Sequence, residues 1–151
     1  MPGPWRTDEP KVLVVADDRD AGELLARLFD EAGWLASLAF SADAAVAELA
    51  EPDAGYSGVV LDLSRADASA GLDALRSIRA LSGPASVMPV VMCSWNDGDR
   101  AQAWVRGVDG FLTRPFHANA LVAEVTAAVE RPMADRDPHR QRQIGLPSPP
   151  S

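Results

Sequence analysis

Val59-Val60-Leu61-Asp62 is a short apolar run that ends on a carboxylate, with Gly58 before it and the polar stretch Ser64-Arg65-Ala66-Asp67 after it. Such a run predicts a strand buried on both faces whose last side chain emerges at the sheet edge. Working outward, Lys11-Val12-Leu13-Val14-Val15-Ala16 has the same character and delivers Asp17 and Asp18 to its carboxyl end. Between the two runs the period changes. Ala21, Leu24, Leu25, Leu28, Phe29 and Ala32 recur at helical spacing, Asp20 with Glu23 reads as a capping box, and Gly33 supplies a stop. Residues 34–39 predict a second strand, and Ser41 is placed to cap a second helix that ends near Leu49. The turn at Glu51-Pro52-Asp53 and Gly55 leads back to the strand ending at Asp62.

Beyond Asp62 the alternation continues. Leu72, Leu75, Ile78 and Leu81 mark a third helix, which Ser82-Gly83-Pro84 breaks, and residues 89–94 form a fourth strand. Asn96 and Asp97 are expected to cap a fourth helix that sets Ala101, Trp104, Val105 and Val108 on one side and ends at Gly107. Gly110-Phe111-Leu112-Thr113 reads as a fifth strand, and Leu121, Val122, Val125, Ala128 and Val129 as the buried face of a last helix. Five strand–helix units thus occupy residues 11–131 as one α/β domain, because right-handed crossovers make such alternation a parallel sheet with helices on both faces. Residues 1–10 are expected to be a flexible arm, with Trp5 able to dock. Residues 132–151, rich in Pro and Arg and poor in apolar side chains, are expected to be a disordered tail.

Composition narrows the function. Fourteen Lys and Arg against 22 Asp and Glu give a formal charge of −8, which argues against direct binding to nucleic acid. No stretch approaches the roughly 18 apolar residues of a membrane span, and the lone Cys93 lies in the apolar run Val90-Val91-Met92-Cys93. A cytoplasmic protein with a buried, inert thiol is the expectation. His117 and His139 have no metal-ligand companions in the sequence and are given no role.

Open parallel sheets bind ligands beyond the carboxyl ends of their strands, and Asp17, Asp62, Ser94 and Arg114 fall there from four strands. The pieces KVLVVADD, GVVLDL, PVVMCSW and DGFLTRPF resemble the receiver domains of bacterial two-component response regulators over residues 11–131. The resemblance implies a flavodoxin-like, doubly wound five-stranded sheet of order 2-1-3-4-5. It implies that Asp62 accepts a phosphoryl group from a histidine kinase or phosphotransfer protein, that Ser94 and Arg114 contact that group, and that Phe111 is the aromatic whose rotamer follows. Mg²⁺ is the implied cofactor, held by Asp17, Asp62 and the backbone carbonyl of Ser64, with Asp18 as an additional candidate. The chemistry is consistent: phosphoryl transfer needs an in-line nucleophile and positive charge on the equatorial oxygens, and Mg²⁺ takes hard oxygen ligands.

Three departures bear on that site. With the first helix kept in register through Leu24-Leu25, Ala16 stands where the family's first acid falls, so Mg²⁺ binding is expected to be weakened; a one-residue adjustment before the helix would instead put the acidic pair on Asp17 and Asp18. Arg114 replaces the family's lysine, and a guanidinium can clamp Asp62 bidentately before any phosphoryl group arrives. The loop of residues 63–71 lacks the family's Met-Pro and runs one residue longer, while Trp95 puts a bulky ring beside Ser94. The expected function is therefore a receiver with a degenerate site, acting on a downstream protein through the fourth helix, fifth strand and fifth helix. A homodimer stays open. The alternative is a phosphorylation-independent pseudo-receiver serving as a protein interaction module. A phosphatase of the same topology is disfavoured, since Ser64 stands where such enzymes carry a second acid, so no enzyme is expected.

Overall fold

The computed structural model describes residues 9–63 and 69–145. Five parallel strands, β1 (Lys11–Ala16), β2 (Leu35–Ala39), β3 (Gly58–Asp62), β4 (Val90–Ser94) and β5 (Gly110–Thr113), lie in the order β2-β1-β3-β4-β5. This is the flavodoxin-like order expected. The helices are α1 (Arg19–Glu31), α2 (Ala42–Ala50), α3 (Ala70–Arg79), α4 (Arg100–Val105), α5 (Ala118–Glu130) and α6 (Met133–Ile144).

The pleat explains why the central strands are uniformly apolar. Leu13, Val15, Val59, Leu61 and Met92 join one core with Leu49, Leu75, Ile78 and Trp104 from α2, α3 and α4. Their neighbours Val12, Val14, Val60, Val91 and Cys93 join a second core with Leu25 and Phe29 of α1 and Leu121 and Val125 of α5. Both faces of the sheet are thus covered, and side chains of alternating parity are all buried. The register sets Ala16 beside Asp62 and Ser94 beside Thr113, so the carboxyl ends of four strands meet at one edge.

Three local expectations are corrected. The Asp20 and Glu23 box is not the cap of α1: the helix starts at Arg19, and Asp18 is its N-cap, accepting from the Ala21 N–H at 3.2 Å. A carboxylate one residue before the helix reaches the free amides of the first turn, where the dipole also favours it. Ser41 does cap α2 as expected, through the Ala44 N–H at 3.1 Å. Asn96 caps a 3-10 turn (Asp97–Asp99) rather than an α-helix, which leaves α4 only six residues long. Trp104 and Val108 are buried, whereas Ala101 and Val105 are exposed, because so short a helix turns only one narrow stripe toward the sheet.

The largest correction concerns the tail. Residues 133–144 form α6, packed on α4, and Arg136 is 6% exposed. Composition pointed to disorder because α6 has few apolar residues and carries Pro138 within it. What holds the helix is charge supplied by another part of the chain. Asp109, 2% exposed, accepts from Arg136 Nε at 2.8 Å and Nη2 at 3.0 Å, from Arg140 Nη2 at 2.9 Å, and from Arg79 Nη2 at 3.1 Å. The Val90 N–H adds a fifth donor at 2.9 Å. A buried ion pair offsets its desolvation only when its remaining hydrogen bonds are met, and here Arg136 also reaches the Val87 carbonyl and Arg140 the Val108 carbonyl. The His139 ring lies edge-on to Trp104 with centroids 5.4 Å apart. Residues 1–8, with Trp5, and 146–151 lie outside the described residues.

Candidate functional site

Asp62 ends β3 at 6% exposure, and both of its carboxylate oxygens are engaged. Arg114 Nε donates to Oδ1 at 3.1 Å and Nη2 to Oδ2 at 2.7 Å. Arg114 reaches across because its own N–H donates to the Ser94 carbonyl at 2.7 Å, which extends the β4–β5 ladder by one residue. Its guanidinium carbon lies 4.8 Å from the Phe116 ring centroid and 5.7 Å from that of Trp95. Burial opposes the guanidinium's charge, and the hydrogen bonds and negative charge of Asp62 outweigh it, so its pKa is raised. Planar, two-point geometry of this kind is open to arginine and closed to lysine.

The rest of the implied acceptor chemistry is only partly assembled. Asp17 stands at the same edge, its N–H 3.4 Å from the Asp62 carbonyl. Asp18 Oδ2 is engaged as the cap of α1. Ala16 is fully buried, packed where α1 comes closest: a Cβ on Gly22 would lie 3.1 Å from the Ala16 Cβ and 3.2 Å from Leu38 Cδ2. Ser64 lies outside the described residues. Receiver domains as a family bind Mg²⁺ at the acceptor. At the described part of this edge the carboxylates are Asp17 and Asp62, and both Asp62 oxygens accept from Arg114, so an ion binding there would compete with the guanidinium.

Ser94 is 1% exposed and sits at the end of β4 as expected, but its hydroxyl donates to Asp99 Oδ2 at 2.8 Å and accepts from the Asn96 N–H at 3.0 Å. A hydroxyl has one proton, and here Asp99 holds it. Next to it, Thr113 Oγ1 donates to Asp97 Oδ1 at 2.6 Å, and Arg100 Nε donates to the same oxygen at 3.0 Å. Phe111 is 2% exposed, turned into the core, with the Arg100 guanidinium 4.9 Å from its ring centroid. The Phe111 N–H donates to Glu124 Oε2 at 3.3 Å, and burial raises the pKa of that carboxyl. Trp95 is 52% exposed at the mouth of the site. Cys93 is buried behind it, and burial followed by the charge of Asp62 pushes its thiol pKa far up, which leaves it inert as expected.

The sequence therefore named the residues on the strand ends and the Arg114 clamp on Asp62, and missed the side chains that hold Ser94 and Thr113. Asp97, Asp99 and Arg100 follow Ser94 on a turn with no periodic signal. Asp109 reads in the sequence as one more loop acid, although it precedes a glycine at the start of a strand.

The response regulator receiver domain family matches residues 12–126 of this chain. The chain is 32% identical over 122 residues to the sensory transduction protein RegX3 of Mycobacterium tuberculosis, covering 80% of this chain and 51% of RegX3. It thus spans about half the length of the curated relatives it matches first. Among solved structures it is similar to the receiver domain of the Francisella response regulator 1452, with a TM-score of 0.68 and 25% identity over 81% of this chain and 98% of that one. A CheY-like receiver protein from Methanospirillum hungatei shares the fold at 14% identity, with a TM-score of 0.68 over 89% of this chain and 98% of that one. Strand order, the carboxylate closing β3 and a family match that runs from β1 into α5 agree: the chain belongs to the receiver domains of two-component response regulators.

Proposed function

We propose that this domain is a phosphorelay receiver in which Asp62 is the phosphoryl acceptor and Arg114 is its built-in counter-ion. The observation that carries the reading is the two-point Arg114–Asp62 contact on a carboxylate 6% exposed at the end of β3. In the transfer, an Asp62 oxygen attacks phosphorus in line, the bond from phosphorus to the donor nitrogen or oxygen breaks, and the guanidinium moves onto an equatorial phosphoryl oxygen. Ser94 supplies a second donor once its hydroxyl leaves Asp99. Arg114 must give up one carboxylate oxygen first, so phosphorylation is slow. Mg²⁺ enters weakly, against the same guanidinium and without an acid at Ala16.

Receivers act with histidine kinases or phosphotransfer proteins, and such a protein is the proposed donor here, in the cytoplasm. The proposed output is a downstream protein contacting α4, β5 and α5, with a homodimer as one form of that contact and no direct binding to nucleic acid. The domain is a signalling module rather than an enzyme. The second reading, a pseudo-receiver whose state ignores phosphorylation, is favoured by the same saturation of Asp62 together with Ala16.

One experiment separates them. The protein is incubated with Mg²⁺ and a small phosphodonor, and its mass is followed. A phosphoryl increment that Asp62→Asn abolishes supports the acceptor. No increment and no Mg²⁺ binding leaves the pseudo-receiver, and turnover of many equivalents of a phosphate ester overturns both.

A further inference from the structure

α4 is six residues long, about 9 Å, and both of its ends are tied. At the amino end, Ser94 holds Asp99 at 2.8 Å, Thr113 holds Asp97 at 2.6 Å, and Arg100 holds Asp97 at 3.0 Å. At the carboxyl end, Trp104 meets His139 of α6, and the carbonyl of Val108 accepts from Arg140 Nε at 2.9 Å. The next residue is Asp109, on which Arg136 and Arg140 of α6 and Arg79 of α3 converge. A segment of less than two turns has little room to absorb a displacement internally, so a shift at one end is passed to the other.

α6 is suited to respond. It carries Pro138 in its interior and has few apolar contacts, so it keeps its helical form by docking rather than by intrinsic preference. The docking is also opposed from within. Burial, with the charges of Arg140 and Arg136 adding to it, lowers the Arg79 pKa to about 10 against the pull of Asp109. Three guanidiniums share one carboxylate and repel one another, so a small displacement of Asp109 tips the balance.

We propose that α6 is the output arm of this domain: α4 transmits the state of the Asp62 site to Asp109, and α6 docks or releases accordingly. Release uncovers the side of α4 that carries Trp104, which is 2% exposed while α6 is in place. The input half of this proposal rests on the receiver reading. The coupling between the Ser94–Asp99 contact and α6 stands without it.

The test is amide hydrogen exchange on the full chain, with α1, which packs on the opposite face of the sheet, as internal reference. Asp99→Ala frees the Ser94 hydroxyl without touching α6, and the α6 amides are expected to exchange at least about fivefold faster relative to α1. In the reverse direction, Arg140→Ala loosens α6 at a partly exposed position, and the amides of residues 95–99 are expected to accelerate. Faster exchange confined to the mutated end, or an equal change in α1 and α6, overturns the coupling. Neither variant involves a phosphodonor, so failure here is distinct from the absence of a phosphoryl increment on Asp62.

Discussion

Arg114 and Asp62 meet in a two-point ion pair, Nε to Oδ1 at 3.1 Å and Nη2 to Oδ2 at 2.7 Å, across residues 52 apart in sequence. The carboxylate that closes β3 therefore carries its own cation, which the proposed phosphoryl transfer must displace. Arg114→Ala is expected to cost about 1–3 kcal/mol, below the range of about 3–5 for a fully buried pair because the arginine is 18% exposed and water can enter. The same change should raise Mg²⁺ affinity, since the competing cation is gone. Urea unfolding and a Mg²⁺ titration read by tryptophan fluorescence check the two effects, and Arg114→Lys should fall between, a point charge replacing a fork.

Gly22 is where α1 approaches β1. A Cβ there would lie 3.1 Å from Ala16 Cβ and 3.2 Å from Leu38 Cδ2. Overpacking costs about 1–3 kcal/mol, and the gain in helix propensity from Gly to Ala returns about 1. Gly22→Ala is thus expected to lower stability by about 0–2 kcal/mol. A stabilised variant in thermal unfolding would show that α1 can shift away, leaving room for a larger side chain at Ala16.

Asp109→Asn keeps the shape of the carboxylate and removes its charge. With Arg79, Arg136 and Arg140 left facing a neutral amide, a loss of about 3–5 kcal/mol is expected, with the helical signal of α6 lost first. Arg140→Ala, at a side chain 16% exposed, should cost about 1–2 kcal/mol because Arg136 keeps its contacts. Equal costs for the two variants in chemical denaturation would contradict a shared carboxylate as the anchor.

His139 is held below its ordinary pKa by burial and then by Arg131 and Arg142, with Asp109 pulling the other way and Arg140 adding to the depression. The folded state therefore binds its proton less readily than the unfolded chain, and the stabilisation is full above the unfolded value of about 6.5. It is lost as pH falls through the folded value. Docking of α6 should weaken on going from neutral to mildly acidic pH, with the change seen in Trp104 fluorescence. His139→Gln should remove that part of the pH dependence, and its persistence in the variant would assign the effect to other groups.

Local sequence carried the fold because buried parallel strands and amphipathic helices each have a period that needs no partner to be recognised. Leu13 through Val15, Val59 through Leu61 and the Leu24-Leu25 helix sufficed to place the sheet. Ser41 announced its own cap, but at α1 two acids competed, and Asp18 won over Asp20 because the helix begins at Arg19, ahead of the first apolar residue of its period.

By itself, the sequence determined the strand order's ingredients and placed Asp62, Ser94 and the unusual cation Arg114 at the carboxyl ends of their strands. The Arg114–Asp62 pair is present as expected; only the tertiary structure decided the other partners, Asp99 on Ser94 and three arginines on Asp109. The reason is physical. Burial of apolar side chains is non-directional and leaves a periodic trace along the chain, whereas an ion pair is directional and joins residues far apart with no period at all. α6 is the clearest case, polar by composition and held in place by a carboxylate that precedes it by more than twenty residues.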